Sequence, residues 1–197
     1  MTTFHQTRIA SGTSMPPVVA DGVIQENSDG LWIEFERALS HSLEEVWVAL
    51  TDPRRLVIWQ HPVEFIPWLR EGATIFAQLN PEAKVVALGK VTALRAPTTL
   101  AFRWTTNNRA LPPDFTIAYT FVDGALRVHS GPFQREHGFL LLAASFHIHL
   151  DHIEEAITTR VDDLPSRPFS QESVVTRTGL MGHVAKSYFA KYPEFAR

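Results

Sequence analysis

The chain has 197 residues, of which 45% are hydrophobic and 20% charged, with a formal net charge of -3. These values are typical of a single globular domain, and the small negative charge argues against a nucleic-acid partner. The absence of cysteine excludes disulfides, thiolate nucleophiles and thiolate metal ligands. No apolar run is long enough to span a bilayer and no secretory signal is evident, so we expect a cytoplasmic protein.

Two short strands and two short helices are predicted after an N-terminal arm. Residues 1–17 mix polar residues with prolines and show no period, which predicts a mobile arm. Two short strands follow around the turn at 27–30, and then a helix with Ser40 or Ser42 as its N-cap. The Asp-Pro pair at 52–53 breaks this helix and starts a second one.

Four further strands are predicted in the middle of the chain, because runs of β-branched and aromatic residues there are separated by proline-containing breaks. They cover 72–79, 84–94, 98–106 and 114–122. The short connections between them predict antiparallel neighbours. Gly89, an isolated glycine within one of these strands, is interpreted as a bulge or bend.

A β-hairpin is predicted around Asp123 and Gly124, which form a two-residue turn that needs positive φ. The hairpin register follows from counting outward from this turn. It pairs Phe121 with Leu126, Tyr119 with Val128 and Ile117 with Ser130. The large apolar side chains then share one face, whereas Arg127 and His129 point into solvent.

A long helix is predicted from about Gly138 to about Val161. Its apolar residues recur at helical spacing and form one broad face: Phe139, Leu142, Ala143, Phe146, Leu150, Ile153 and Ile157. We expect the domain itself to span 18–163. Residues 164–197 are predicted to be a linker and a short C-terminal helix that carries Val184, Tyr188 and Phe189.

Three histidines and three carboxylates lie within residues 146–155, a composition that suits a metal or acid–base site. At about 100° per residue, however, His147 lies beside Asp151, while His149 and His152 lie on the opposite flank. The three imidazoles therefore cannot meet at one ion, and we expect no metal site. His147 and Asp151 are interpreted as a surface or rim pair worth a few tenths of a kcal/mol. A ligand contact by His147 or His149 is the alternative.

Other catalytic and cofactor motifs are weak or missing. The segments 61–65 and 135–139 each bring a histidine near a carboxylate, but proximity along a loop is a poor indicator of catalysis. Glycine-rich phosphate loops and the nucleophile-elbow pattern are absent, so we predict no cofactor and no catalytic residue.

Two motifs carry a family resemblance. The first runs from a strand into a helix and on to a tryptophan: Glu36, Arg37, Val46, Trp47, Ala49, Leu50, Thr51, Asp52, Pro53 and Trp59. The second lies in the late helix: Ser145, Phe146, His147, Leu150 and Asp151. Together they resemble SRPBCC (START-like) domains of the subgroup named for the activator of the 90-kilodalton heat-shock protein ATPase. The resemblance covers about residues 30–161.

This resemblance implies an α+β helix-grip fold. In such a fold a curved antiparallel sheet of about six or seven strands surrounds a long C-terminal helix, with two short helices after the first main strand. The family grips apolar ligands between sheet and helix and includes lipid carriers, hormone receptors, aromatic cyclases and chaperone activators. It has no common set of catalytic residues, so none is transferred to this chain.

The hypothesis that follows is non-enzymatic binding of a small apolar or aromatic ligand between sheet and helix. The candidate lining residues are Trp59, Phe76, Phe102, Trp104, Tyr119, Phe146, His149 and Leu150. Most of them could instead simply fill the core. Two alternatives are a protein-interaction module resembling a chaperone activator and a cyclase- or hydrolase-type enzyme. In the enzyme, Tyr119 or His147 would transfer protons.

Overall fold

The computed structural model describes residues 21–80, 85–106, 114–134, 138–164 and 172–195. The predicted arm at 1–17 and most of the predicted linker lie outside these ranges. The strands are β1 Val23–Asn27, β2 Gly30–Ala38, β3 Val63–Ile66, β4 Thr74–Asn80, β5 Val85–Arg95, β6 Thr99–Thr106, β7 Asp114–Val122 and β8 Ala125–Phe133. The helices are α1 Leu43–Thr51, α2 Pro53–Trp59, α3 Phe139–Asp151, α4 Ile153–Thr158 and α5 Glu172–Lys191.

All eight strands form one antiparallel sheet in the order β1-β2-β8-β7-β6-β5-β4-β3, with helices over one face. This is the α+β helix-grip architecture that was predicted. The strand count is slightly higher than the expected six or seven. The additional strand is β3, which has only four residues, lies between Pro62 and Pro67, and is too short to show a clear period in the sequence.

The predicted hairpin register is confirmed. Tyr119 pairs with Val128 and Phe121 with Leu126 around Asp123 and Gly124, both of which have positive φ. The buried side chains of each strand define the inner face of the sheet, which the helices cover. On the outer face His129 stacks on the ring of Trp32, with a centroid distance of 4.3 Å.

The interpretation of Gly89 as a bulge or bend is wrong. Gly89 pairs in regular register with Ile75 and Trp104, and the irregularity of β5 lies between Val91 and Ala93. A Cβ atom at Gly89 would lie 2.9 Å from Cε3 of the Trp104 ring. The glycine is therefore required because the indole lies directly over its backbone.

The helix predicted from Gly138 to Val161 is interrupted at His152, which separates α3 from α4. The predicted apolar residues of α3 are all buried, but so are Leu140, Ala144, His147 and Ile148. The reason is that α5 also packs against α3, where the ring of Tyr188 contacts that of His147. This C-terminal helix is 20 residues long, not short, and it buries Val184 and Tyr188.

Local sequence explains the first two helices. Ser42, one of the two predicted caps, forms a capping box in which its Oγ accepts a hydrogen bond from the backbone N–H of Glu45 at 3.3 Å. Asp52 caps α2 by accepting from the backbone N–H of Arg54 at 2.9 Å, and Pro53 follows at the first helical position. In the described part of the chain, no helix is long and apolar enough to cross a membrane.

Candidate functional site

The residues on the inner side of the sheet differ in how completely they are buried. Most inner-face residues are completely sealed, and Ile33, Ile75, Leu100 and Leu126 have 0% exposure. A second group of inner residues retains between 5% and 9% exposure: Phe65, Phe102, Trp104, Phe115, Ile117, Leu142, Phe146 and His149. We call this set of eight residues the inner cleft and take it as the candidate ligand site.

The inner cleft has a floor made by two adjacent strands and one wall made by α3. Phe102 and Trp104 on β6 pair with Ile117 and Phe115 on β7. The three helical residues, Leu142, Phe146 and His149, have the i, i+4, i+7 spacing that places them in one row on a helix. The floor and the wall of the inner cleft are therefore parts of regular strands and a helix, and the spacing of these elements sets the distance between them.

The helices that cover the sheet contact it on either side of the strands that carry the floor of the inner cleft. Helix α3 approaches the sheet most extensively at β2, towards one edge, whereas α2 lies near β3 at the other edge. The strands β6 and β7 lie between these two positions. Arg55 holds α2 beside α4, because its guanidinium donates to the carbonyls of Ile157 at 3.2 Å and Thr159 at 3.0 Å.

Trp59 and Tyr119 lie behind one end of the inner cleft, and their rings form an edge-to-face pair with centroids 6.0 Å apart. The indole N–H of Trp59 donates to the carbonyl of Ala49 at 2.9 Å. The Tyr119 hydroxyl accepts a hydrogen bond from the side chain of Gln60. Complete burial raises the pKa of Tyr119 above its ordinary value, and the bond from Gln60 opposes that rise only in part.

The same end of the cleft carries a pair of imidazoles. His149 reaches it from the last turn of α3, and His61 reaches it from the segment between α2 and β3. The two rings are perpendicular, with centroids 4.9 Å apart. Because Gln60 precedes His61 directly, the amide that contacts Tyr119 and the imidazole that contacts His149 are neighbours.

The structure brings together seven of the eight residues predicted to line the site. Phe102, Trp104, Phe146 and His149 border the inner cleft, while Trp59, Tyr119 and Leu150 lie sealed behind its surface. Phe76 is the exception. It is on the outer face, where it pairs with Leu88 and Glu64, because alternation on β4 turns Ile75 and Ala77 inwards.

Sequence reasoning missed four residues of the inner cleft, namely Phe65, Phe115, Ile117 and Leu142, and it also missed Gln60 and His61 beside the cleft. It assigned Leu142 and Ile117 to apolar faces without including them in the site. Alternation along β7 was a usable signal for Phe115, which lies two residues from Ile117 and four from Tyr119. The contribution of His61 had no local signal, since it depends on the approach of α3.

The three clustered histidines occupy three separate environments, as the helical geometry predicted. His149 contacts His61, and His152 lies 3.5 Å from a carboxylate oxygen of Glu155. His147 forms the expected pair with Asp151, with Nε2 3.2 Å from a carboxylate oxygen. Its interpretation as a surface pair is wrong for the imidazole, which is buried beside Tyr188 of α5 and Asp21 before β1, whereas Asp151 at the rim is half exposed.

His147 belongs to a four-membered charge network with Asp21, Arg37 and Asp151. Its Nδ1 lies 2.9 Å from Asp21 Oδ1 and 3.2 Å from the hydroxyl of Tyr188. Arg37 bridges the two carboxylates, at 2.5 Å from Asp21 and 3.3 Å from Asp151. The network therefore ties α3 to β2, to the segment before β1 and to α5.

The protonation states within this network are set by its geometry. Burial of His147 disfavours the imidazolium, but hydrogen bonds and charge from Asp151 and Asp21 outweigh it and raise the pKa of His147 to about 9. Desolvation of Asp21 acts to raise its pKa, but the hydrogen bond from His147 and the charge of Arg37 outweigh it and lower the pKa of Asp21 to about 2. The same two partners lower the pKa of Asp151 against its desolvation.

Comparison with known proteins supports this architecture. Residues 40–129 match the family described as Activator of Hsp90 ATPase homolog 1-like protein. Among curated proteins no significant match is found. The sequence match covers α1 to the middle of β8 and thus includes the floor of the inner cleft.

Solved structures share the fold at low sequence identity. The crystal structure of CalU16 from Micromonospora echinospora has a TM-score of 0.60 at 16% identity, covering 86% of this chain and 95% of that one. Protein MLL2253 from Mesorhizobium loti has a TM-score of 0.55 at 19% identity, and the match covers 66% of this chain and 99% of that one. DynU16, from the dynemicin biosynthetic locus, has a TM-score of 0.54 at 20% identity, and the match covers 73% of this chain and 59% of that one.

Proposed function

This chain contains an SRPBCC domain of the activator-of-Hsp90-ATPase type, and on that premise we propose that it binds a small apolar or aromatic molecule in the inner cleft without transforming it. The observation that carries the proposal is the residual accessibility of eight residues on the inner side of the sheet and α3. Ligand sites are typically concave and mostly apolar, with a few polar groups, and the cleft has this composition.

The aromatic rings of the inner cleft favour an apolar ligand that is flat or chain-like. Phe102 contacts Trp104 edge-to-face at 5.9 Å and Phe65 at 6.3 Å, so these three rings form one aromatic group. Such surfaces bind aromatic and aliphatic groups by area burial and ring contacts. Apart from His149, the other seven residues of the inner cleft are all apolar.

An enzymatic function has little support from the two residues predicted to transfer protons. Tyr119 is completely buried, and its raised pKa makes it a poor acid or base near neutral pH. His147 is engaged by Asp21 and Asp151 on the flank of α3 that faces α5 rather than on the row that borders the cleft. Binding without chemistry therefore agrees better with the positions of these groups.

A protein-interaction module is the second candidate, and one surface feature favours it. Ile66 and Trp68, at and just after the end of β3, are 48% and 65% exposed. Large apolar residues exposed side by side are common in protein contacts. In this alternative a titration with small molecules would show no saturation, and Trp68→Ala would weaken binding of the protein partner.

Tryptophan fluorescence tests the ligand proposal. Trp104 borders the cleft, so titration with hydrophobic dyes, fatty acids and polyaromatics should quench or shift emission saturably. Trp104→Phe should reduce that signal, whereas Trp68→Phe, on the exposed loop, should leave it intact. A flat titration across the whole panel would contradict the proposal and favour the protein-partner alternative.

A matched pair of filling variants tests the location. Ile117→Phe adds volume inside the cleft and should weaken binding of any ligand found in the titration. Leu88→Phe adds the same kind of volume on the outer face and should leave affinity unchanged. Equal affinities in both variants and the wild type would indicate that the ligand binds outside the inner cleft.

A further inference from the structure

Gly89 on β5 and Trp104 on β6 are direct partners in the register of the sheet, and both face its inner side. A Cβ atom built on Gly89 would lie 2.9 Å from Cε3 and 3.2 Å from Cδ2 of Trp104. Carbon atoms that are not bonded pack at about 3.5–4.0 Å, so a side chain at this position would overlap with the indole. The indole therefore occupies the space that any residue other than glycine would fill.

The atoms in this contact show which part of the indole covers Gly89. Cδ2 is one of the two carbons that the rings of an indole share, so its three in-plane neighbours are all ring atoms. A close contact with Cδ2 is therefore made through a face of the ring system and not through its edge. A side chain on a strand usually stands roughly perpendicular to the sheet. The indole of Trp104 instead leans over β5, with one face on the backbone of Gly89.

The second face of the indole is turned away from the sheet, towards the side that the helices cover. Because Gly89 covers the first face, the 6% exposure that Trp104 retains belongs to the rest of the ring system. The ring of Phe102 stands beside the indole at an interplanar angle of 68°, with the centroids 5.9 Å apart, and Phe65 contacts Phe102 in turn. The inner cleft thus has a flat aromatic surface at Trp104 and a steep aromatic side at Phe102.

Resting on the proposed function, we infer that the ligand contains a planar aromatic ring system that stacks on the second face of the Trp104 indole, and that Gly89 determines this specificity. Aromatic rings pair in offset-stacked or edge-to-face geometries and gain free energy beyond the burial of their area. A planar ligand can use both geometries here, by stacking on Trp104 and by an edge-to-face contact with Phe102. A saturated ring system with the same carbon skeleton is puckered and has no π system, so it gains only from area burial.

Gly89 acts as a positioning residue, because its effect on the ligand passes through the indole. With a methyl group at position 89 the indole has to move away from β5, and this movement is towards the place of the ligand ring. The added Cβ also meets the backbone carbonyl of Arg103 at 2.8 Å. This second contact strains the sheet without involving the ligand, so binding preference and stability report different consequences of one substitution.

Calorimetric titration with two matched probes tests the inference. 2-Naphthol and decahydro-2-naphthol share a carbon skeleton and a hydroxyl group, but only the first is planar and aromatic. The wild type should bind 2-naphthol about two- to tenfold more tightly, the range expected for one aromatic pair. Trp104→Leu should abolish this preference while keeping the affinity for decahydro-2-naphthol within about twofold, since leucine retains an apolar surface.

Alanine variants of two glycines test the role of Gly89. Gly89→Ala should weaken binding of 2-naphthol and abolish the preference for it. Gly182→Ala adds the same methyl group on α5, where nothing lies within 4 Å of it, and should leave affinity and preference unchanged. In the Trp104→Leu background, Gly89→Ala should not change the ratio of the two affinities, because the indole through which it acts is missing.

An NMR measurement on the wild type covers the case in which Gly89→Ala does not fold. Protons that lie over a face of an aromatic ring resonate upfield, and protons in the plane of the ring resonate downfield. The Hα signals of Gly89 should therefore lie upfield of their usual range and return towards it in Trp104→Leu. Unshifted or downfield signals would overturn the placement of the indole and with it the role of Gly89.

The remaining outcomes separate this inference from the proposed function. Equal or weaker binding of 2-naphthol by the wild type overturns the planar ligand while leaving an apolar-ligand function intact. A preference that survives Trp104→Leu overturns the stacking on Trp104, and a preference that survives Gly89→Ala overturns the role of Gly89. No saturable binding of either probe or of the wider panel overturns both proposals.

Discussion

Replacing His147 with glutamine should remove a large pH-dependent contribution to folding stability. Both ring nitrogens face a carboxylate oxygen, Nδ1 towards Asp21 and Nε2 towards Asp151, so both contacts are donated only by the imidazolium. The folded-state pKa is raised from 6.5 to about 9. At 1.36 kcal/mol for each pKa unit, this rise corresponds to about 3 kcal/mol.

The sign of the effect follows from linkage. Because the folded-state pKa is the higher one, the folded protein holds this proton more tightly than the unfolded chain does. The stabilisation from His147 is fully present below pH 6.5 and is lost as the pH rises towards 9. Wild-type stability should therefore fall by about 3 kcal/mol across this interval relative to His147→Gln, in which the group is absent.

Denaturant unfolding at several pH values between 6 and 9.5 measures this difference. Other titrating groups contribute equally to both proteins and cancel in the comparison. His152→Gln is the matched control, since it removes a more exposed histidine from the end of the same helix and leaves His147 with both of its carboxylates. Parallel profiles for wild type and His147→Gln, or an NMR titration of His147 with a pKa at or below 6.5, would refute the reasoning.

Three further variants test packing and are followed by the same unfolding measurement. Gly89→Ala should lower the free energy of unfolding by about 1–3 kcal/mol, because the added Cβ meets a backbone carbonyl and an indole ring. Gly182→Ala, on α5 with open space around it, should instead raise the free energy of unfolding by about 0.5–1 kcal/mol. Equal effects of the two variants would contradict the close approach of Trp104 to Gly89. Arg55→Met should lower the free energy of unfolding by about 1–3 kcal/mol, because it leaves carbonyls at the end of α4 without their donor. Arg54→Met should lower it by less than about 1 kcal/mol, because the pair that Arg54 forms with Asp52 lies at the surface and is weaker. Phe146→Ala should cost about 3–5 kcal/mol as a core aromatic, and a loss below about 1 kcal/mol would show that its ring mainly faces open space.

Much of the fold was predictable because its signals are local. Alternation with period two defined the strands, and the Asp123-Gly124 turn fixed the register of β7 on β8 without information from elsewhere. The apolar face of α3 was likewise readable from its spacing. The errors arose where the signal was short or ambiguous: β3 has four residues, and Phe76 is a large aromatic residue that faces outwards between the buried Ile75 and Ala77.

The candidate site was predictable only in part. Phe102, Trp104 and Phe146 were assigned to the inner side from patterns within their own elements. Which residues are sealed and which stay accessible depends on the separation of α2 and α3 over the sheet. No pattern within a single element specifies that separation, because it results from how side chains of several elements pack together.

The sequence by itself determined the fold class, the hairpin register and the separation of His147 and His149 onto different flanks of α3. Only the tertiary structure decided what each histidine does. Asp21 and Tyr188, which are distant in the sequence, bury His147 and surround it with charge and hydrogen bonds, while the segment after α2 brings His61 to His149. Helical spacing fixes the direction of a side chain, but the charge, burial and partners it meets depend on elements that only long-range packing brings together.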